Sequence, residues 1–269
     1  MLIIFIILIL VLIYLLMIKG RTKFTDFSSF KNVRYAHRGL HGNGVPENSI
    51  SAFIKAVENG FGAEFDVHLT ADGQLVVIHD YTLERTTGVK GIVEELTLNQ
   101  IKEYFLENTD EKIPTLEEVL EIFKGKTPII IELKSTNENC KKLSKAVADC
   151  LENYNGEYCV ESFDPRCVRW FKKYKPKIIR GQLSENFLIS KNSKIPLIYK
   201  FAITFLITNF LTKPDFVAYK FKDRNNLSFK VCTKIYKMQG VTWTIKDRIS
   251  LRLAECENLI PIFEKIRAD

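Results

Sequence analysis

The sequence has 269 residues, of which 46% are hydrophobic and 26% are charged, and its formal net charge is +7. It contains only 13 glycines and 8 prolines. These proportions exclude collagen-like, low-complexity and disordered chains. The charge is unevenly distributed, because residues 1–18 carry no charged side chain. The rest of the chain is long enough for one large domain or two small ones.

The chain begins with an apolar segment, MLIIFIILILVLIYLLMI, in which Tyr14 is the one weakly polar residue. A helix of this length measures about 27 Å, close to the hydrocarbon thickness of a bilayer. A cleaved signal peptide would need a basic start and a small-residue cleavage site, and a core helix would normally have a polar stripe. We therefore predict an uncleaved transmembrane helix over residues 1–18, followed by a juxtamembrane linker over 19–30.

Basic residues follow this segment at Lys19, Arg21, Lys23 and Lys31, whereas only the terminal amine precedes it. By the positive-inside rule, this asymmetry predicts a single-pass N-terminal anchor with the following domain in the cytoplasm. The six cysteines form no C-x-x-C pair and no zinc-ligand spacing. Free, mostly buried thiols in a reducing compartment are therefore expected.

From residue 31 onward, short β-rich segments alternate with helical patterns. Strands are predicted at 33–37, 63–69, 128–134, 159–163, 178–183, 216–221, 241–246 and 259–263. Helices are predicted at 49–59, 115–124, 139–154, 196–211, 228–238 and 248–257, with one more starting at Asp164-Pro165. Eight strands separated by seven helices predict a (β/α)8 barrel over residues 31–269. A doubly wound open sheet is the alternative, but no G-x-G-x-x-G turn follows any strand.

One segment breaks the alternation. Residues 66–79, DVHLTADGQLVVIH, contain Asp72-Gly73, a favoured two-residue type I′ hairpin turn. A turn centred there would pair residues whose numbers sum to 145, so Asp66 would lie opposite His79 and share a face with it. Residues 81–113 then form an insertion after the second strand, at the barrel rim where catalytic residues are found.

Charged residues recur two positions apart near two strand ends. Glu64 and Asp66 point to one side of their strand, and Glu132 and Lys134 do the same in theirs. Carboxylates that converge at one rim repel one another, and a hard divalent cation such as Mg²⁺ or Ca²⁺ resolves that repulsion. The alternative interpretation is an internal salt-bridge network of these carboxylates with Lys134 and Arg38.

Two of the four histidines, His37 and His79, end strands beside these carboxylates, which favours a general acid/base pair over packed side chains. The planar guanidinium of Arg38 suits a phosphate. His41 lies in the Gly-rich segment HGNG and is expected to be solvated. His68 is a weaker candidate for the site.

Four segments in this order resemble the glycerophosphodiester phosphodiesterase family, and the resemblance is to a membrane-anchored, bacterial-type member. They are AHRGLHGNGVPENSISAF, GAEFDVHLTADGQLVVIHD, PTLEEVL and IIIELK. The resemblance covers residues 31–263, and SFDP, RGQL and VTWTIK are similar to later family motifs. The chain departs from the family at its end, where ENLIPIF stands in place of the usual Asp-Gly-Ile-x-Thr-Asp.

The resemblance implies a role for each matching residue. It implies a divalent metal ion, Mg²⁺ or Ca²⁺, and His37 and His79 as the acid/base pair. It also implies that Glu47 supports a metal ligand or the glycerol hydroxyls. Trp243 either walls the pocket or is a core indole. The implied metal ligands are Glu64, Asp66 and Glu132, and the implied phosphate-binding residues are Arg38 and Lys134.

The predicted activity is metal-dependent hydrolysis of glycerophosphodiesters to glycerol 3-phosphate and an alcohol at the membrane. The alternative within this class is lysophospholipase-D-like cleavage of a membrane lysophospholipid. A different class is an inactive, membrane-tethered binding module. The nearly uniformly apolar helix 196–211 is expected either to be covered by protein or to rest on membrane lipid. No nucleic-acid motif is present, so the basic balance does not predict DNA or RNA binding.

Overall fold

The computed structural model describes residues 1–21, 25–136, 138–190 and 195–266. Lys23, which belongs to the predicted linker, and residues 267–269, the end of the predicted barrel segment, lie outside the described residues. The boundaries of the segments 19–30 and 31–269 stay predictions.

Nine strands and twelve α-helices are found in the described part of the chain, together with short 3-10 and π segments. The strands are β1 (Tyr35–His37), β2 (Gly62–Leu69), β3 (Leu75–Val77), β4 (Ile129–Leu133), β5 (Tyr158–Ser162), β6 (Ile179–Ser184), β7 (Phe216–Lys220), β8 (Gln239–Ile245) and β9 (Leu259–Phe263). The helices are α1 (Leu2–Ile18), α2 (Ser28–Lys31), α3 (Ile50–Glu58), α4 (Glu84–Thr87), α5 (Leu98–Ile101), α6 (Leu116–Phe123), α7 (Cys140–Cys150), α8 (Pro165–Tyr174), α9 (Leu197–Thr204), α10 (Asn209–Thr212), α11 (Leu227–Lys230) and α12 (Arg248–Cys256).

Eight parallel strands close into a barrel. The strand order is β1-β9-β8-β7-β6-β5-β4-β2, and a further pairing between β1 and β2 completes the ring. Tyr35 of β1 lies opposite Gly62 on one side and opposite Ile262 on the other. The short strand β3 pairs antiparallel with the end of β2. The barrel part of the predicted fold is therefore present.

Local sequence signals set several helix starts. The Thr115 hydroxyl accepts from the backbone N–H of Glu118, and the Glu118 side chain accepts from the backbone N–H of Thr115. The Asp164 carboxylate accepts from the backbone N–H of Arg166, with Pro165 at the first helical position. The predicted helix starts at Thr115 and at Asp164-Pro165 are thus confirmed, because both arrangements satisfy N–H groups that a helix start leaves unpaired.

A buried aromatic cluster holds β2 against two helices. The ring centroid of Phe65 in β2 lies 5.3 Å from that of Phe53 in α3 and 6.4 Å from that of Phe123 in α6. Side chains alternate across a strand, so Phe65 points away from the side that carries Glu64 and Asp66. Packing on the helix side therefore fixes the strand that presents these two carboxylates.

The N-terminal helix α1 differs from the predicted membrane anchor. It has 17 residues and ends at Ile18, which is fully buried and whose carbonyl accepts from the side chain of Asn209. The hydroxyl of Tyr14 lies 2.5 Å from that of Ser228, so the last turns of α1 pack on the barrel. Among the residues that the structure describes, no helix is both long and apolar enough to cross a membrane. The predicted transmembrane helix over 1–18 and the predicted single-pass anchor with a cytoplasmic domain are therefore wrong.

The hairpin after β2 has another register than predicted. Leu69 lies opposite Leu75, so paired residue numbers sum to 144 and not to 145. Three residues form the loop, the last of them Gly73 at φ +80°. A glycine in this conformation is typical of three-residue hairpin loops, and the extra residue shifts the pairing by one. The predicted pairing of Asp66 with His79 is wrong, because His79 lies beyond the end of β3.

The predicted helix over 196–211 is also wrong as a single element. It divides into α9 and α10, and Leu206 between them has a φ of +56° and a fully buried side chain. The left-handed residue ends the helical hydrogen bonding and turns the chain toward the barrel. Large apolar side chains of α9 remain exposed, including Ile198 and Tyr199.

The insertion after β3 has an apolar core of its own. It contains α4, a 3-10 turn at Val93–Glu95 and α5. A set of buried residues joins it to β3: Val76, Ile78, Leu83, Val93, Ile101, Leu106 and Ile113. This packing fixes the segment that follows β3. The segment lies at the C-terminal rim of the barrel, which is the end at which the parallel strands finish.

We expect Phe123→Ala to lower the free energy of unfolding by about 3–5 kcal/mol, because the fully buried ring leaves a cavity between α6 and β2. Urea denaturation followed by circular dichroism measures this. The control is Ile249→Ala at an exposed position, which should change the free energy by no more than about 0.5 kcal/mol. Equal effects of the two substitutions would contradict the aromatic cluster.

Candidate active site

Three carboxylates meet at the C-terminal rim. Glu64 and Asp66 come from β2 and Glu132 from β4, where Asp66 and Glu132 lie in register. One oxygen of each lies within 4.8 Å of the others, and all three side chains are buried. Because β2 and β4 are hydrogen-bonded neighbours, the Glu-x-Asp spacing of one strand and the Glu of the other reach the same place. The group can hold a divalent metal ion, since hard cations take carboxylate oxygens.

The three buried carboxylates carry negative charge that the surrounding protein does not fully neutralise. Burial raises the pKa of Glu64 well above its ordinary value, and the charges of Asp66 and Glu132 raise it further. Burial also raises the pKa of Glu132 to about 7, although Lys134 opposes the shift. One buried oxygen of Glu64, Oε2, has no hydrogen-bond partner. Either protons or a cation must therefore neutralise part of this site.

Two cations balance Asp66. The Lys134 ammonium lies 3.0 Å from Asp66 and 2.8 Å from Glu132, and Arg38 Nε lies 3.5 Å from Asp66. Burial works against the charge of Asp66, but Lys134 is the strongest of the positive groups that hold its pKa below the usual range. The salt-bridge network considered from the sequence is thus present. It does not reach the unpartnered oxygen of Glu64, so it coexists with a site for a cation.

His37 lies between two carboxylates. Its Nε2 is 3.9 Å from Glu64 Oε2, and its Nδ1 is 3.2 Å from Glu264 Oε2. Burial lowers the pKa of His37, although the bond to Glu264 opposes the shift. Glu264, which directly follows β9, was not among the predicted site residues. Its position could have indicated it, because residues at the carboxyl ends of barrel strands line the catalytic face.

His79 is held by a chain of ion pairs that runs across the rim. Its Nδ1 lies 2.6 Å from Asp80, and Asp80 lies 2.5 Å from Arg85 Nε. Glu47 Oε1 then accepts from Arg85 at 2.6 Å and from Arg38 at 2.8 Å. Burial lowers the pKa of His79 to about 4, although the charge of Asp66 opposes the shift. Glu47 thus connects the arginine beside the carboxylates to the support of the second histidine.

The remaining candidates have other surroundings. His41 is partly buried and its Nε2 is inaccessible and without a hydrogen-bond partner, so the expectation that it is solvated is wrong. His68 is fully buried, and its Nε2 lies 3.3 Å from the carbonyl oxygen of His79. In the tautomer that carries a proton on Nε2, His68 can donate a hydrogen bond to this backbone oxygen. Trp243 is partly buried and packs edge-on against Phe163, with 5.6 Å between ring centroids.

A fourth acidic side chain was also missed. Glu161 of β5 lies in register with Glu132 and is buried inside the barrel, and its Oε2 has no hydrogen-bond partner. Burial and the charge of Glu132 raise the pKa of Glu161 well above its ordinary value. The sequence signal was the glutamate within the strand segment YCVES. Burying a glutamate without a partner costs several kcal/mol, so its presence in a barrel strand indicates a role.

A cavity of about 1300 Å³ extends from one side of the site. Its polar end contains His79, Glu132 and Lys134. Apolar side chains line the same cavity: Phe163, Ile195, Pro196, Tyr199, Ile203 and Leu211. The cavity therefore combines charged groups with a surface that suits hydrocarbon.

Comparison with known proteins gives a consistent set of relatives. The glycerophosphoryl diester phosphodiesterase family matches this chain over residues 37–255. A glycerophosphodiester phosphodiesterase of Caldanaerobacter subterraneus is 40% identical over 169 residues, which are 59% of this chain and 69% of that protein. Human lysophospholipase D is 35% identical over 142 residues, which are 48% of this chain and 44% of that protein.

The fold has counterparts among solved structures. A phosphodiesterase of Oleispira antarctica, solved in complex with the product sn-glycerol-3-phosphate, superimposes with a TM-score of 0.71 at 24% sequence identity. The match covers 88% of this chain and 94% of that one. At this identity the likeness bears on the fold, and it agrees with the closed parallel barrel.

Without a bound cation, stability should depend on pH through Glu132. Its pKa is about 7 in the fold against 4.5 for an ordinary glutamate, so the folded form binds the proton more tightly. The resulting stability is present below pH 4.5 and is lost as the pH rises through 7. In EDTA, we expect the Tm of the parent protein to fall relative to that of Glu132→Gln between these two pH values.

Thermal denaturation measures this difference, with Glu103→Gln at an exposed position as the control. The control should follow the parent across the pH range. A difference between parent and Glu132→Gln that does not change with pH would contradict a buried, proton-binding Glu132.

Proposed function

The chain belongs to the glycerophosphoryl diester phosphodiesterase family and is an enzyme of that family, and from this premise we propose how its site works. We propose that it hydrolyses glycerophosphodiesters to glycerol 3-phosphate and an alcohol, with a divalent metal ion and two histidines. One observation carries the proposal. Three carboxylates lie within 4.8 Å of one another, and two histidines, each bonded to a carboxylate through Nδ1, flank them.

The residues that would hold the metal are Glu64, Asp66 and Glu132. Their oxygen ligands suit Mg²⁺ or Ca²⁺, and the unpartnered oxygen of Glu64 supports a cation in addition to Lys134 and Arg38. A divalent ion bound there would withdraw charge from the non-bridging oxygens of a phosphodiester.

The phosphate would lie against Arg38 and Lys134. Both cations are already held by Asp66, and Glu47 also fixes Arg38, so neither has to be ordered when substrate binds. Fixed positive groups stabilise negative charge that grows on the phosphoryl oxygens during the reaction, without reorganisation at that moment. Trp243, at the end of β8, is proposed as a wall of the same pocket.

The two histidines would move the protons. Glu264 and Asp80 each lie at Nδ1 of one ring, which leaves Nε2 of His37 and of His79 for the substrate. One histidine accepts the proton of the attacking oxygen, and the other donates a proton to the leaving alkoxide. The attacking oxygen belongs to water, or to a glycerol hydroxyl that first forms a cyclic phosphate. Either histidine can take the first role.

We expect His37→Ala and His79→Ala each to lower kcat for glycerophosphoethanolamine by about 10²–10⁴-fold, because each removes a general acid or base. EDTA should abolish turnover, and Mg²⁺ or Ca²⁺ should restore it. Release of glycerol 3-phosphate measures the rate, and Arg252→Ala at an exposed position is the control. Full activity in EDTA or in His37→Ala would overturn the mechanism.

A second candidate substrate is a lysophospholipid, and the shape of the cavity favours it. Phe163, Tyr199 and Ile203 line the same cavity as His79 and Lys134, and their apolar surface would offer a place for one acyl chain. The same phosphodiester chemistry would then release a free headgroup alcohol. Membrane lipid is the natural source of such a substrate, so the exposed side chains of α9 are proposed to approach it.

Substituting Tyr199 by Ser tests the acyl-chain candidate, because Tyr199 lines the cavity whereas its neighbour Ile198 does not. We expect Tyr199→Ser to raise the KM for a lysophospholipid about ten-fold, which corresponds to about 1.4 kcal/mol of lost contact. Turnover of glycerophosphoethanolamine should not change. The matched control Ile198→Ser, also on an exposed part of α9, should affect neither substrate when the lysophospholipid is supplied as monomers in solution, where α9 has no lipid surface to approach. Equal effects on both substrates would exclude an acyl site at this wall.

A further inference from the structure

Two of the six cysteines lie side by side although they are far apart in the sequence. Cys140 is the first residue of α7 and Cys167 the third residue of α8, and the two helices are packed neighbours. Their sulfur atoms lie within 4.8 Å of each other and of an oxygen of Asp164. Both thiols are free and buried. A disulfide has an S–S length of about 2.05 Å, so a small adjustment of the two helix starts would allow one to form.

The third member of this cluster, Asp164, is already occupied. Its carboxylate accepts from the Ser135 hydroxyl at 2.6 Å, from Arg166 Nη2 at 2.7 Å and from the backbone N–H of Arg166 at 2.8 Å. A metal ion would have to displace these donors to complete its coordination. The arrangement is therefore that of a thiol pair and not of a metal centre.

The environment of the pair makes Cys140 the more reactive thiol. The contact with Cys167 lowers the pKa of Cys140, although burial opposes the shift. The same contact raises the pKa of Cys167. Cys140 also occupies the first position of an 11-residue helix, where the backbone dipole favours negative charge. A thiolate is the nucleophilic form of cysteine, so Cys140 would react first.

The pair lies next to the proposed active site. α7 and α8 both begin at the C-terminal rim, directly after β4 and β5. Ser135 and Asp164, which are bonded to each other, line the cavity that contains Lys134. Asp164 lies beside the two sulfurs and is hydrogen-bonded to Ser135, which directly follows Lys134. A movement of Asp164 can therefore reach the residue next to Lys134.

We propose that Cys140 and Cys167 form a reversible disulfide when the protein meets a peroxide. The Cys140 thiol first loses its proton, and the thiolate attacks one oxygen of hydrogen peroxide, so an S–O bond forms and the O–O bond breaks. The departing hydroxide takes up that proton and leaves as water. The Cys167 sulfur then attacks the Cys140 sulfur, so the S–S bond forms and the S–O bond breaks. The second water leaves with the proton of Cys167. The two thiols supply the two electrons that the peroxide takes up, and a thiol reductant reverses the reaction.

The bond would change turnover through the loop after β4. Joining the sulfurs draws the first turns of α7 and α8 together, and Asp164 carries the movement to Ser135 beside Lys134. We expect phosphodiester turnover to fall about ten-fold, since small displacements of positioning groups have effects of this size or larger. This consequence rests on the proposed function, whereas formation of the bond does not.

Peptide mapping of the full chain tests the proposal directly. The protein is treated with hydrogen peroxide, its remaining thiols are blocked with iodoacetamide, and it is digested with trypsin without reductant. The expected product is a linked peptide that joins residues 135–141, STNENCK, to residues 167–169, CVR. Dithiothreitol should separate the two peptides and restore turnover of glycerophosphoethanolamine.

Cys140→Ser and Cys167→Ser should form no linked peptide and should keep their turnover under peroxide. Cys256→Ser, which removes the exposed thiol, should behave as the parent protein does. Absence of the linked peptide from the oxidised parent protein would overturn the proposal, whether or not the serine variants fold. Unchanged turnover in the linked protein would overturn its coupling to the site. A linked peptide in a protein without phosphodiesterase activity would count against the proposed function alone.

Discussion

Buried negative charge at the C-terminal rim of the barrel is the constraint on which the rest of the site depends. Glu64, Asp66, Glu132 and Glu161 are all buried on neighbouring strands, and Lys134 and Arg38 are the cations directly beside them. Burying ionised groups costs several kcal/mol each unless partners compensate. The barrel therefore holds more negative than positive charge at this rim, and protons or a divalent ion can neutralise the excess. In a phosphodiesterase, positive charge bound at such a place would also stabilise the reacting phosphate.

Each histidine is positioned by a different part of the chain. Glu264, after the last strand, holds His37, whereas the insertion after β3 supplies Arg85, which holds Asp80 beside His79. The insertion has its own buried cluster, so His79 does not depend on the hairpin register to reach the site. Two separate supports allow the two rings to be oriented independently, which would suit the opposite roles proposed for them as an acid/base pair.

The C-terminal rim also joins the chemistry to the outside of the barrel. Lys134 and Tyr199 line one cavity, and the thiols of Cys140 and Cys167 lie within 4.8 Å of an oxygen of Asp164, which lines the same cavity. Substrate choice would therefore act through α9, which follows β6, and oxidation through the segments that follow β4 and β5, and both would reach one cavity. Placing functional loops at the ends of rigid strands lets such features vary without altering the barrel.

Features that depend on local periodicity follow from the order of the amino acids alone. Alternating strand and helix patterns predict the barrel, cap signals predict helix starts, and a two-residue spacing puts Glu64 and Asp66 on one side of β2. Other features become visible in the folded chain alone, because they depend on contacts between distant residues. Packing on the barrel ends α1 at Ile18, and burial of Leu206 divides the helix predicted over 196–211. The pairing of β1 with β9 brings Glu264 to His37, which lies 227 positions earlier in the chain, so their contact depends on the closed barrel and not on local sequence.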